Sequence, residues 1–162
     1  MEITSITPEN RSIINEFLMK HWYSTDMMVC GEKIDMTKLD GLAVFSQGEI
    51  TALLTYRIKP DHTCEIISLD SLIENQGTAT KLLQKVFDIA RTCSCKTVTV
   101  MTTNDNLKAI DFYQKRGFDK IRLHYNSVEK SRKIKPEIPL LGDHGIPLRH
   151  ELEFEYNLKD HA

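Results

Sequence analysis

A buried strand that runs through a turn of small residues directly into a helix constrains this chain more than any other feature. Residues 65–69 are apolar enough for a strand interior, and Gln76-Gly77-Thr78-Ala79-Thr80-Lys81-Leu82-Leu83 opens a helix behind them. The free backbone N–H groups of such a helix start form a place for an anionic phosphate. A second segment, residues 104–113, reads as a strand end, a capped helix and a tyrosine, Tyr113, on that helix, closed by Gly117-Phe118. The two together point to a phosphate-bearing cofactor with a proton donor beside it.

The rest of the chain supplies a sheet around these units. Residues 3–7 alternate as a short strand. Pro8 then starts a helix in which Ile13, Ile14, Phe17 and Leu18 recur at helical spacing to about residue 20. Residues 21–38 have no clear period and read as a loop or short helix. Residues 41–46 and 50–58 are two strands joined by a turn at Gln47-Gly48-Glu49. Residues 64–69 form a third strand, apolar on both faces and therefore central. Residues 77–92 carry one stripe of Leu82, Leu83, Val86, Phe87 and Ala90, which is a helix. Residues 96–101 are a strand, 106–116 a helix ended by Gly117, and 118–125 another strand.

Residues 126–149, with Pro136, Pro139, Pro147, Gly142 and Gly145, form an irregular insertion of a length that usually has a function. Residues 150–156 alternate Leu152, Phe154 and Tyr156 against Glu151, Glu153 and Glu155, a last strand with one wet face. The order is β-α-β-β-β-α-β-α-β-β, an α/β chain with a mixed, largely antiparallel sheet and a central helix packed on it. One domain over residues 1–162 is expected, with 126–149 inserted before the last strand.

Composition removes several classes of function. A net charge of -2 over 162 residues favours neither nucleic acid nor an anionic membrane as a bulk partner. No apolar run approaches the roughly 18 residues of a membrane span, and residues 1–4 do not read as a secretory signal, so a cytoplasmic location is expected. Cys30, Cys64, Cys93 and Cys95 lack the paired spacing of a zinc site and read as reduced thiols; no metal is expected. There is no P-loop signature, and no second glycine follows Gly77 closely.

The second segment resembles a signature of the GNAT superfamily of N-acetyltransferases, Asn-x-x-Ala-x-x-Phe/Leu-Tyr-x-x-x-Gly-Phe, with Asn106, Ala109, Phe112, Tyr113, Gly117 and Phe118 all in place. The first resembles the family's Gln/Arg-x-x-Gly-x-Gly/Ala loop at Gly77 and Ala79, with Glu74 at the Gln/Arg position. A carboxylate pointing inward there would repel a pyrophosphate. It is expected to point out and leave the contact to the amides of residues 76–80.

The resemblance implies direct transfer of an acetyl group from acetyl-CoA to a primary amine. Leu69, Asp70, Ser71, Gln76, Gly77, Thr78, Ala79, Thr80, Asn106, Ala109 and Tyr113 would hold the cofactor. A backbone N–H of Leu69 or Asp70 would serve as oxyanion donor. Asn106 has a second reading as a helix cap, with Asn104 the alternative, and Tyr113 is the expected acid for the leaving thiolate. Its structural alternative is a core tyrosine.

Glu65 shares strand parity with Ile67 and Leu69, so it is the expected base facing the cleft; the alternative is a paired structural carboxylate. Trp22, Asp35 and Asp70 are expected near the acceptor, a small-molecule amine, although Trp22 also suits a core and Asp35 a solvated face. The insertion is placed as a lid. The stripe Leu152, Phe154 and Tyr156 suits a core or a homodimer. The competing reading is a catalytically weak acyl-CoA-binding sensor.

Overall fold

The computed structural model describes residues 2–74 and 76–161. Asn75 and the two terminal residues lie outside the described residues. Nine strands and four helices follow one another: β1 (Glu2–Ser5), α1 (Arg11–Trp22), β2 (Asp26–Val29), β3 (Glu32–Asp35), β4 (Asp40–Ser46), β5 (Glu49–Ile58), β6 (Thr63–Ser71), α2 (Thr78–Thr92), β7 (Thr97–Thr103), α3 (Leu107–Lys115), β8 (Asp119–His124), α4 (Ser127–Ile134) and β9 (Glu151–Asn157) among the described residues. The main sheet has the order β1-β4-β5-β6-β7-β9-β8, and β6–β7 is its parallel pair. This is the mixed, largely antiparallel sheet expected from the sequence.

Two apolar layers hold the sheet. On one face the α2 stripe of Leu82, Leu83, Val86, Phe87 and Ala90 packs with Leu54, Ile66, Val98 and Phe154. Full burial of a leucine or valine contributes about 1.5–3 kcal/mol over leaving it exposed. On the other face Ile14, Phe17 and Leu18 of α1 pack with Leu53, Ile67, Ile34 and Met36. Leu152, Phe154 and Tyr156 join the first layer, so that stripe is occupied by the protein's own core.

Four expectations need correction. First, α1 begins at Arg11, three residues past Pro8, because Thr7 and Asn10 exchange side chain–backbone hydrogen bonds that form a turn ahead of it. It runs on to Trp22, where Tyr23 at φ 56 ends it. Second, the stretch read as irregular before residue 38 is mainly a hairpin, β2–β3, turned through Cys30 (φ 47) and Gly31 (φ 83). Two positive φ values suit the right-handed strand twist, but Cys-Gly and four-residue strands are a faint signal in sequence.

Third, the insertion contains α4. Few of its residues are apolar, and only Ser127, Val128 and Ser131 are buried, so it leaves little hydrophobic period to read. Fourth, the last strand lacks the wet face expected of it: Glu151 is buried and Glu153 and Glu155 are half-buried. β9 lies between β7 and β8, and β8 is the edge.

Candidate active site

The site starts from an interruption in the sheet. β6 and β7 pair from Thr63↔Thr97 to Ile66↔Val100, and beyond that register β6 continues to Ser71 and β7 to Thr103 without pairing with each other. Opposite β5, the register passes from Tyr56↔Ile66 to Thr55↔Ser68, leaving Ile67 as a bulge. The Leu72 N–H donates to Thr51 O at 2.8 Å. Antiparallel alternation then turns the main-chain groups of Leu69 and Ser71 away from β5, into the gap, and those of Asp70 toward β5. Of the two oxyanion donors expected, Leu69 is the one whose N–H points into the opening.

A cleft of about 420 Å³ fills this gap, lined by Leu69, Asp70, Ser71, Gly77, Thr78, Ala79, Thr80, Asn106, Ala109 and Tyr113. All the expected cofactor residues except Gln76 are brought together here; Gln76 is exposed and off the lining. Gly77 caps α2 at φ 70, and a Cβ there would meet nothing within 4 Å, so conformation rather than space favours glycine. The first hydrogen bond of α2 runs from Lys81 N–H to Gly77 O at 3.0 Å, and the N–H groups before it belong to the free first turn. Lys81 itself is exposed and does not line the cleft.

Two cations that the sequence reading did not single out stand at this mouth. The Arg116 guanidinium lies 4.0 Å over the Phe112 ring and donates from Nε to Thr80 Oγ1 at 3.0 Å. Lys108 forms an ion pair with Glu74, and both line the cleft, so Glu74 does not point out as expected; its charge is matched by Lys108 instead. Arg116 follows Phe112 by four residues, the spacing of helix neighbours, which was the available signal. A helix start with two adjacent cations suits the phosphates of a CoA-type cofactor. Asn106 caps α3 through its side-chain oxygen, which accepts from Ala109 N–H at 3.1 Å. Asn104 instead ties down the insertion, accepting from Arg149 and His150 N–H and donating to Pro147 O.

Tyr113 closes the inner end. Its ring packs edge-on to Phe112 and Phe118, and its hydroxyl makes no hydrogen bond among the described residues. Burial first, then the charge of Asp70, pushes its phenol well above the ordinary tyrosine range. It therefore stays protonated at physiological pH.

The bulge decides where the carboxylates go. Directly opposed residues share a face, so Leu69 sits with Leu54 on the α2 side and Asp70 with Leu53 on the α1 side. Glu65, before the bulge, alternates with Ile66 and faces the α1 side. The expectation that Glu65 shares Leu69's face is overturned: the extra residue, Ile67, breaks the parity. Glu65 is nearly buried, accepts from Arg57 Nε at 2.6 Å, and does not line the cleft. Arg57 also holds Glu32 through both terminal nitrogens at 3.0 Å, and this pairing lowers the Glu32 carboxyl.

Asp70 lines the cleft and accepts from Trp22 Nε1 at 2.9 Å. Burial raises its carboxyl, and the Trp22 hydrogen bond and nearby His21 partly offset this. Trp22, expected in a loop, is the last residue of α1. Asp35 is away from the cleft: its carboxylate accepts from Thr37 N–H at 3.0 Å and Thr37 Oγ1 at 2.6 Å, and these bonds hold it below the usual range. It caps the tight turn Met36–Lys38.

The insertion folds onto the start of α3. Buried Asp105 accepts from Thr103 Oγ1 at 2.5 Å and Asp143 N–H at 2.9 Å. Gly142 lies so close that a Cβ would come within 2.1 Å of Asp105 Oδ2. The insertion thus braces the helix that carries Asn106 and Tyr113, rather than lining the cleft as a lid.

The model of the acetyltransferase (GNAT) family matches residues 8–118. The Bacillus subtilis (strain 168) protein YxbD, itself uncharacterised, is 45% identical over 88% of this chain and 89% of its own length. Among solved structures, an IAA acetyltransferase from Bacillus cereus ATCC 14579 superposes with a TM-score of 0.70 at 15% identity, covering 96% of this chain and 98% of that one. A GNAT family acetyltransferase from Elizabethkingia anophelis with acetyl-CoA bound gives 0.66 at 17% identity, over 96% and 97%.

Proposed function

This chain belongs to the GNAT family of acetyltransferases, and from that premise we propose that it transfers an acetyl group from acetyl-CoA directly to the primary amine of a small molecule. The observation that carries the reading is one cleft lined by α2's free first turn, by Leu69 where β6 leaves β7, and by buried Tyr113, whose hydroxyl has no hydrogen-bond partner among the described residues. Bound there, acetyl-CoA supplies an activated thioester. The first turn of α2 with Arg116 holds the phosphates, Asn106 and Ala109 meet the pantetheine arm, and the Leu69 N–H stabilises the oxyanion. Tyr113 protonates the departing thiolate.

No cysteine lines the cleft among the described residues, which favours direct transfer over a thiol relay. No helix among the described residues is long and apolar enough to cross a membrane, and a cytoplasmic setting belongs to the same reading. One domain over residues 1–162 carries the activity. The sensor alternative drew on Glu74, whose charge is matched by Lys108.

Calorimetry with acetyl-CoA and an ATP control, followed by thiol release over a panel of amines, tests the reading. Micromolar binding of acetyl-CoA but not ATP, with release on at least one alkylamine, is the expected result. Binding without release on any amine supports the sensor instead.

A further inference from the structure

We propose that Asp70, oriented by the Trp22 indole, is the general base that deprotonates the incoming ammonium, and that Glu65 is a structural carboxylate. The inference rests on the transferase reading and names the part of the reaction that reading leaves without a residue. Two acidic side chains of β6 compete for the role. Glu65 is held by Arg57 at 2.6 Å, off the cleft, in a chain of charges ending at Glu32. A carboxylate held so closely by a guanidinium is a poor proton acceptor.

Asp70 stands in the cleft wall at the divergence of β6 and β7, beyond the last residues of the two strands that pair with each other. Its side chain lies on the α1 face, Tyr113 packs into the α2-side core, and both line the same cleft. Base and acid therefore flank the place where the thioester carbonyl would sit. Among the described residues, Trp22 from α1 donates to Asp70 with His21 beside it, neutral Leu53 of β5 lies opposite, and Tyr113 from α3 lines the same cleft. Trp22 donates a single N–H to Oδ2, which leaves Oδ1 for the substrate. Partial burial strengthens the base, as a proton acceptor working near neutral pH requires.

The protons balance. The ammonium gives one proton to Asp70, and the freed lone pair forms the C–N bond as the carbonyl electrons move onto oxygen. When the C=O bond re-forms, the C–S bond breaks and its electron pair leaves on sulfur. Tyr113 gives that sulfur a proton and recovers one from the nitrogen of the intermediate. Asp70 returns its proton to solvent, so each turnover releases amide, CoA thiol and one proton.

The chain has one tryptophan, so the indole N–H resonance of Trp22 reports on Asp70 without ambiguity. The test pairs a pH titration of that resonance with kcat/KM profiles for whichever of benzylamine, tyramine and putrescine is acetylated fastest. Wild-type protein should show an indole midpoint above the ordinary aspartate value, coinciding with the acid limb of kcat/KM. Asp70→Asn should abolish the indole titration and lower kcat/KM about 10²–10³-fold near neutral pH. The loss should shrink as rising pH deprotonates the amine in solution, while the Kd for acetyl-CoA changes little. Trp22→Phe should shift the acid limb upward, a change that mere loosening of α1 would not produce. An unchanged limb in Asp70→Asn, or an indole midpoint at the ordinary aspartate value, overturns the assignment. Thiol release from none of the amines by the wild type overturns the transferase reading and this inference with it.

Discussion

Lys108 and Glu74 form an ion pair across the mouth of the cleft, linking the first turn of α3 to the turn that precedes α2. Their side chains are 77% and 63% exposed, so the pair adds at most about 0–1 kcal/mol to stability. Its consequence is local. It cancels a carboxylate standing where the family pattern has Gln or Arg. Lys108→Ala should leave Glu74 bare beside the phosphates and weaken acetyl-CoA binding by roughly 3–10-fold, about 0.7–1.4 kcal/mol. Glu74→Gln should tighten binding, and the double variant should return close to wild type. Calorimetry at two salt concentrations checks this, with the difference shrinking at high salt.

Tyr113→Phe removes a hydroxyl that has no hydrogen-bond partner among the described residues, so the fold should lose little. The expected loss is in turnover: about 10²–10⁴ in kcat with the Kd for acetyl-CoA nearly unchanged. Steady-state thiol release and calorimetry on the same preparation separate the two. Equal kcat in the variant and wild type across pH would reject the acid role.

Gly142→Ala places a methyl group against the buried Asp105 carboxylate, with Asp105 Cγ at 2.5 Å and Cβ at 2.8 Å. The loop must shift or Asp105 must give up its bond to Asp143 N–H. A cost of about 1–3 kcal/mol is expected. Because Asp105 immediately precedes the cap residue Asn106, weaker acetyl-CoA binding should accompany the lower Tm. Thermal unfolding with and without acetyl-CoA measures both.

Asp70 has a folded-state pKa above its unfolded value of about 3.9. Between the two values the folded protein binds more protons than the unfolded chain, so stability falls as pH rises through that window. At neutral pH the full penalty is present. Asp70→Asn keeps an acceptor for Trp22 and removes the penalty, so its Tm should exceed that of wild type at pH 7. Below the carboxylate range the two should converge. A Tm difference independent of pH would contradict this account.

The local signals were legible in the chain itself. The α2 stripe and the Gly77 turn follow from spacing and backbone conformation, and both lie where they were expected. Asn106 as a helix cap and Tyr113 one face along are short-range facts of the same kind. The β2–β3 hairpin and α4 escaped because each is short and draws its support from distant residues. Glu151 on β9 accepts from the Cys30 N–H at 3.0 Å, and Ser131 on α4 accepts from the Gly31 N–H at 3.1 Å.

What the sequence alone determined is therefore the set of elements with strong periods and most of the residues that gather at the cleft, Lys108 and Arg116 excepted. What the tertiary structure alone decided is which way the β6 carboxylates face. Strand parity predicts one face for Glu65 and Leu69, and it holds only while the pairing is regular. A single unpaired residue, Ile67, reverses it, and no local propensity marks that residue. Arg57 then reaches Glu65 from the neighbouring strand, Trp22 reaches Asp70 from a helix 48 positions away, and the divergence of β6 from β7 opens the space between them. These are contacts between segments remote in the chain, created by packing and carried by no short stretch of sequence.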